Sequence, residues 1–475
     1  MPTPTPNASI SRRRFWLDEA GPAGARSVHH VYAPIETLRC NVEESGTGLR
    51  NVSFSDLVVL DDGSFRAYAT VYSTDHRTMR IGIWESGDAV NWSACRLGET
   101  NLVEFANLPG DQTAAAGPQV IRLPNGRWRM YFWKHRDGHL RCLVAESEEG
   151  LKWRVLDVDR PVLYHPADGG LWKLAEGLGV HEAVKVDLPP DRVLARKRLW
   201  SNDSANFYYN DRLGRFECYS VWLHPAIPSR RVDVDNAPGV HRLIQRRLSA
   251  DGIDWSDAEL VILPDERDPW DVQFYFLGVQ WVEDFMIGSL GYYRVEDGQQ
   301  TMDTDLCFST DGRRWQRPVR GGWIPRCPGP AAAGIYAANR WLDVGGRWMT
   351  VVTATPNPHN TRQWEVTTMA AAFDANRFVG VAAGRTPGGF VTEPFVLSRP
   401  DIVLDADVRG WLRAELCDGF GAKLPGFHLM DSLPVEGDSA SHVLRWKAAN
   451  VADHLFDCVR LRLEFADAVV YSIAF

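Results

Sequence analysis

The sequence predicts an all-β chain, a five-bladed β-propeller followed by a β-sandwich. Three observations carry the prediction. A turn of Ser, an acid and a closing Trp recurs as SGDAVNW (86–92), SEEGLKW (147–153), SADGIDW (249–255) and STDGRRW (309–315). A second element, a turn Gly with an aromatic and a strand-like run, alternates with it as DDGSFRAY (61–68), PNGRWRMY (124–131), RLGRFECY (212–219) and VGGRWMTV (344–351). WVEDFMIG (281–288) is a form without the Gly. Past VGVAAGRTPGGF (379–390) both elements stop and strict two-residue alternation takes over.

Taken in order, Phe65 leads to Trp92, Trp128 to Trp153, Phe216 to Trp255 and Phe285 to Trp315. Trp348 leads to FDANRF (373–378), a degenerate fifth copy with Phe378 in the Trp position. Five units of this period suit a propeller. Within a unit, LVVLDDGSFRAYATVY reads as strand, Gly turn, strand, and MRIGIWESGDAVNW adds a third strand and the Trp turn. A single four-stranded blade cannot bury both faces, whereas five packed radially can. In VRLRLEF (459–465), Val459, Leu461, Leu463 and Phe465 alternate with Arg460, Arg462 and Glu464, the pattern of a strand with one buried face. DIVLDADVRGWLRAELCD and SHVLRWKAA read the same way, with GFHLMDSLPVEGD as a loop. The expected division is 1–45 as tail and lead-in, 46–384 as catalytic propeller and 385–475 as sandwich.

Composition narrows the class. The 475 residues are 45% apolar and 24% charged, ordinary for a globular protein, and the net charge of −9 argues against nucleic acid as a partner. The eight cysteines are scattered singly without a CxxC, so zinc and thioredoxin chemistry are unsupported and buried free thiols are expected. SRRRF near the start is followed by WLDEAGPAG rather than an apolar run, and no stretch is apolar enough to span a membrane. The expected location is the cytoplasm.

The repeated turn has a structural role. Its Ser hydroxyl and acid can accept backbone N–H groups, and its Trp can wedge between blades. The segment resembles the Asp-box turn of sialidases and other propellers. That resemblance assigns Trp92, Trp153, Trp255 and Trp315 to structure and removes the turn acids from the catalytic candidates.

Chemistry is expected where innermost strands line a central channel. Those strands are NVSFSDLVV, AAGPQVIRL, NDSANFYYN, DVQFYFLGV and GIYAANRWL, and three bring a carboxylate near the start: Asp56, Asp203 and Asp271. The other two offer Gln119 and Asn339. Converging carboxylates suit glycoside hydrolysis, in which one acid protonates the leaving oxygen and one carboxylate attacks or activates water. The first-blade pattern SDLVVLDDGSFRAY resembles the glycoside hydrolases of families 32, 43 and 68. NDSANFYYNDRLGRFECY, GSLGYYR and the closing VRLRLEFADAVVYSIAF resemble a less studied family-32-like branch. The resemblance implies Asp56 as nucleophile or base. Leu57 stands where the family-32 signature has Pro, and ERDPW (266–270) lies late for its Arg-Asp-Pro motif.

Glu176 and Glu182, in KLAEGLGVHEAVKV, are the nearest candidates for the acid, with Asp271 as rival, and Asp203 orients groups or tunes their ionisation. Trp270 and Tyr275 could stack on a sugar, and His359 and Gln119 could contact it. The arginines of SRRVDVDNAPGVHRLIQRR (229–247) read as a solvated face, or else as a site for phosphate or an anionic sugar. The expected function is a glycosidase or transglycosylase on a small glycoside or oligosaccharide, with a furanoside among the candidates. A glycoside phosphorylase and a non-catalytic sugar-binding propeller are the alternatives. Carbohydrate is the expected partner, with no nucleic acid and no membrane. A homo-oligomer through the sandwich stays open. No cofactor is called for, and a structural calcium ion would be compatible.

Overall fold

The computed structural model describes residues 13–73, 78–108, 114–136, 139–165, 199–225, 240–359, 361 and 364–475. These form an all-β structure, in which a 3-10 turn at Val451–His454 is the one helical segment among the described residues. The chain divides into two compact units. One holds Ile35–Trp315 and Arg320–Ala372, and the other Met1–Pro34, Gln316–Val319 and Phe373–Phe475.

The first unit is the propeller, built from five successive antiparallel meanders among the described residues. Blade 1 runs through Asn51–Val59, Phe65–Tyr72, Met79–Ser86 and Asn91–Ala94. Blade 2 runs through Ala115–Arg122, Trp128–Arg136, His139–Ser147 and Arg154–Val155, and blade 3 through Ala205–Asn210, Arg215–Pro225, Val240–Ser249 and Glu259–Ile262. Blade 4 has three strands, Gln273–Val282, Phe285–Glu296 and Gln299–Ser309, with a single bridge from Thr304 to Ile324 in the fourth place. Its hairpin lacks the turn Gly, and Glu283 takes the left-handed conformation there instead (φ 49°). Blade 5 starts with Gly334–Ala337, breaks, resumes as Leu342–Val344, and continues through Arg347–Thr355 and Thr367–Asp374.

The ring closes on its first strand. Val120 N donates to Asp56 across blades 1 and 2, and the Tyr131 and Phe207 rings stack 4.0 Å apart across blades 2 and 3. Asn206 Nδ2 donates to Leu277 O across blades 3 and 4, and Trp341 N donates to Gln280 Oε1 across blades 4 and 5. Asn339 N donates to Ser55 O, 3.0 Å, joining blade 5 back to blade 1. The outer strand of blade 5 comes from early in the chain, where Glu36–Arg39 pairs antiparallel with Met369–Ala372. Asn41–Val42 then pairs parallel with Asn91–Trp92 of blade 1. Of the expected lead-in, the part from Ile35 onward therefore belongs to the propeller, while Arg13–Phe15 and His29–Tyr32 pair with strands of the sandwich. FDANRF is no blade turn: with its last outer strand supplied by Glu36–Arg39, blade 5 needs no fourth strand after it.

The Trp turns are fasteners between blades. Ser86, Ser249 and Ser309 each accept two turn N–H groups on Oγ, and Asp88, Asp251 and Asp311 each accept two more. The turns of blades 2, 3 and 4 also each receive a Tyr hydroxyl from the preceding blade, and the blade 1 turn does not. Tyr68 donates to Gly150 O (2.8 Å), Tyr131 to Gly252 O (2.8 Å) and Tyr219 to Gly312 O (3.1 Å). These are the final tyrosines of DGSFRAY, NGRWRMY and LGRFECY. The turn Trp meets the same Tyr edge-on, as in Tyr68–Trp153 and Tyr219–Trp315.

The second unit is the sandwich, one continuous eight-stranded sheet around two long bent strands, Val403–Asp418 and Cys458–Ala474. Val459, Leu461, Leu463 and Phe465 are buried together with Leu412, Ala414 and Leu416, as the alternation requires. Val379–Ala383 pairs with Ala468–Val470, which assigns this segment to the sandwich rather than to the propeller. Val435–Val443 is a strand, so the expected loop ends before Val435. All eight cysteines are free. Cys327 and Cys458 are exposed, contrary to the expectation of buried thiols.

Candidate active site

The inner strands begin at one mouth of the channel, and their register sets the depth of each side chain. Asn51, paired with Tyr72, opens the inner strand of blade 1, and Asp56 lies five residues further in. At about 3.3 Å per residue that is roughly 16 Å along the strand. Asp203 precedes Ala205, and Asp271 precedes Gln273, so both stand ahead of their strands. Tyr275 Oη stands 3.5 Å from Asp203 Oδ1, which places Asp203 beside the beginning of the fourth inner strand.

Asp56 is fully buried and engaged. Its Oδ1 accepts Leu57 N (3.0 Å) and pairs with Arg340 Nε (3.1 Å), while Oδ2 accepts Val120 N (2.7 Å). Burial raises its pKa, and Arg340 with the two N–H groups opposes the rise. Arg340 reaches Asp56 because the inner strand of blade 5 breaks at Asn339–Arg340. The same guanidinium donates to Phe207 O in blade 3. Gln119 accepts from Asn339 Nδ2 at this depth and is itself buried. Asp56 and Gln119 thus belong to a polar plug that ties blades together, which corrects the expectation that the three aspartates converge. Asp271 is buried too, held by Arg294 (Nε 3.2 Å, Nη2 3.1 Å) and Val295 N.

Asp203 is different. It is exposed, and Tyr275 Oη approaches its Oδ1 at 3.5 Å. Around them stand Tyr72 from blade 1, Arg242 from blade 3, Gln273 and Tyr293 from blade 4, and Tyr336 with His359 from blade 5. Arg242 is buried, donates through Nη1 to Gln273 Oε1 (2.8 Å), and lies 4.7 Å over the Tyr293 ring and 5.6 Å over that of Tyr275. His359 meets the Tyr275 ring edge-on at 4.7 Å, and its Nδ1 is 2.9 Å from Tyr336 Oη. Burial and the Asp203 charge push Tyr72 up to about 12, and the same two causes raise Tyr275 well above an ordinary phenol. Burial also raises Tyr336. At neutral pH these phenols keep their protons, so the mouth presents hydroxyl donors, a cation and one accessible carboxylate.

Of the residues singled out from sequence, the structure brings together Asp203, Tyr275 and His359. Trp270 is 60% exposed in the turn before the fourth inner strand. Glu176, Glu182, Arg230 and Arg231 lie outside the described residues. The remaining arginines of 229–247 are buried rather than solvated, because the third strand of a blade is covered on both faces. Arg246 pairs with Glu217, and Arg247 donates to Trp200 O. Sequence reasoning missed Tyr72, Gln273, Tyr293 and Tyr336. Their signal was the start of each inner strand and the strand opposite it, where an aromatic reads equally well as core. Among the described residues no cluster of His, Cys, Asp or Glu could hold a metal ion.

No family model matches the chain, and no curated protein matches it. Solved structures do. A glycoside hydrolase is similar at 12% identity over 74% of this chain and 92% of its own, with a TM-score of 0.46. A thermostable family-43 glycoside hydrolase is similar at 12% identity over 70% of this chain and 91% of its own, with a TM-score of 0.43. A structure described under the GH130 family of mannoside phosphorylases, containing hydrolases of β-1,2 mannosidic linkages in Candida mannan, is similar at 10% identity. It covers 78% of this chain and 96% of its own, with a TM-score of 0.41. The fold stands on the strand pairing above, independently of these distant likenesses.

Proposed function

We propose that the chain is a glycoside hydrolase whose substrate, a small glycoside or oligosaccharide, binds at the inner-strand mouth. The observation that supports this is Asp203, an exposed carboxylate met by Tyr275 within a ring of phenols, Arg242 and His359. Such a site can stack a sugar ring, donate to its hydroxyls and hold a carboxylate against its anomeric carbon. Asp203 takes the role of nucleophile or water-activating base that the sequence suggested for Asp56, and Glu182 is the candidate for proton donor. Asp56 serves the fold by holding Arg340.

The test is turnover of aryl pyranosides, aryl furanosides and short oligosaccharides by wild type and Asp203→Asn. A loss of about 10²–10⁴-fold in the variant, with the fold intact, is expected. Unimpaired turnover by Asp203→Asn would remove this carboxylate from the chemistry.

A second reading rests on Arg242. A buried guanidinium in the mouth suits an anion, and phosphate as the attacking group would make the chain a glycoside phosphorylase. Running the same panel with and without phosphate separates the two, since only a phosphorylase needs it. Sugar binding without turnover in either buffer would instead make the mouth a non-catalytic site.

A further inference from the structure

The fourth strand of blade 3, Glu259–Ile262, runs toward the mouth, because each strand of the meander reverses the one before it. The inner strand of blade 4 starts from the same face at Gln273. Residues 263–272 therefore cross the mouth face from the rim inward. This crossing is clamped. Arg320 holds Asp265 (Nη2 to Oδ2, 2.8 Å) and Asp268 (Nη1 to Oδ1, 2.9 Å), and the Asp268 side chain is fully buried. Asp265 N donates to Asp268 Oδ2 and Arg267 N to Asp265 Oδ1, both at 2.9 Å. Val272 N donates to Pro269 O (3.1 Å), which turns the chain around Trp270 and Asp271. The Asp271 side chain goes to Arg294 and Val295 N. Trp270 is left standing on the turn, 60% exposed, the one exposed tryptophan among the described residues. It precedes Tyr275, whose hydroxyl meets Asp203, by five residues, a span of at most about 18 Å.

We propose that Trp270 is an outer subsite, on which a sugar residue distal to the one held at Asp203 stacks, so that the substrate is an oligosaccharide. The inference rests on the glycosidase reading of the mouth and deepens it. Left in water, an indole forgoes the burial of a large apolar surface, and the apolar ring face of a sugar supplies that burial. The clamp matters as much as the exposure. A ring carried on a turn already ordered by Arg320, Asp265 and Asp268 loses little freedom when a ligand stacks on it. Trp270 makes no ring contact with the cluster of Tyr275, Tyr293, Tyr336 and His359 among the described residues, so the sugar on it is a different one from the sugar at Asp203.

The test compares the full chain with its Trp270→Ala and Trp270→Phe variants. Because Trp270 is exposed, neither substitution empties the core. The probes are the 4-nitrophenyl monoglycoside and the trisaccharide of each of four sugars: glucose, mannose, xylose and arabinofuranose. For the sugar that is turned over, Trp270→Ala should lower the ratio of trisaccharide to monoglycoside kcat/KM about tenfold or more, chiefly through KM. Trp270→Phe should recover part of the loss, since a phenyl face still stacks. A second readout needs no turnover. The Trp270 indole N–H resonance of the ¹⁵N-labelled chain, assigned by Trp270→Phe, should shift saturably with at least one trisaccharide. A shift without turnover would sink the glycosidase reading and keep the subsite. The subsite itself is overturned if Trp270→Ala leaves the kcat/KM ratio unchanged, or if no trisaccharide moves the indole resonance.

Discussion

Gly252→Ala tests whether the Trp turns fasten one blade to the next. Gly252 is left-handed (φ 74°), and a Cβ built on it would stand 2.4 Å from Tyr131 Oη and 2.6 Å from Arg129 Nη1. The methyl must push the tyrosine away. The left-handed backbone costs an alanine about 1–2 kcal/mol. Overpacking costs about 1–3 kcal/mol, and the lost Tyr131–Gly252 hydrogen bond about 1 kcal/mol more. The sum is about 3–6 kcal/mol. For a unit of about 330 residues the unfolding entropy is about 0.7 kcal/mol/K, so the propeller transition should fall by about 4–9 °C. Differential scanning calorimetry reads this directly. Blade 1 supplies the control, because Ala89 holds the corresponding position at φ 60° and is fully buried. The blade before it in the ring is blade 5, which has Val351 where blades 1 to 3 have Tyr, so no hydroxyl competes for the space. Ala89→Gly should shift stability by less than about 1 kcal/mol. Adding Tyr131→Phe to Gly252→Ala should recover about 1–2 kcal/mol in a double-mutant cycle. A transition within about 1 °C of wild type for Gly252→Ala, or strictly additive effects in the cycle, would refute the fastening.

Three further outcomes follow from the same geometry. Asp56→Asn should lower stability by about 3 kcal/mol or more, by breaking the buried pair with Arg340, while the folded variant keeps measurable turnover; an inactive variant of wild-type stability would return Asp56 to the chemistry. The turn aspartates titrate low: backbone N–H donors lower Asp251 and Asp311, and they take Asp88 from 3.8 to about 2. Their stabilisation is therefore full above the ordinary carboxylate value of 3.8 and lost as pH falls through each lowered pKa, about 2 for Asp88, so acid unfolding of a variant with Asn at all three should be flatter below pH 3.8. Asp56, whose pKa is raised in the fold, has the opposite sign. It favours the folded state below the ordinary carboxylate range and loses that contribution as pH rises, so removing it should steepen the acid arm measured by urea unfolding at stepped pH.

The fold was legible because its repeat is written in turns. A left-handed Gly and a Ser–Asp pair are local requirements, visible in a seven-residue window, and they located the inner strands near their observed starts. The site was less legible, because depth in the channel depends on register. Asp56, Asp203 and Asp271 all look like acids near a strand start. Pairing sets Asp56 five residues in, where Val120 and Arg340 claim it, and a break in a strand of another blade delivers that arginine. No local pattern announces such a break. Arg242 looked solvated for a related reason: a run of arginines suggests water until one knows that both faces of its strand are covered.

Pairing of Glu36–Arg39 with Met369–Ala372 also orders events in time. The two halves of that contact are separated by most of the propeller's length, so an emerging chain carries one edge of the seam throughout synthesis and cannot meet the other until the fifth blade exists. Until then the blades form an open arc with two unpaired ends, the state in which swapped or stacked partners are most easily acquired. Late closure of this kind also raises contact order, and it predicts slow refolding governed by one long-range step rather than by the hairpins that the turns form on their own.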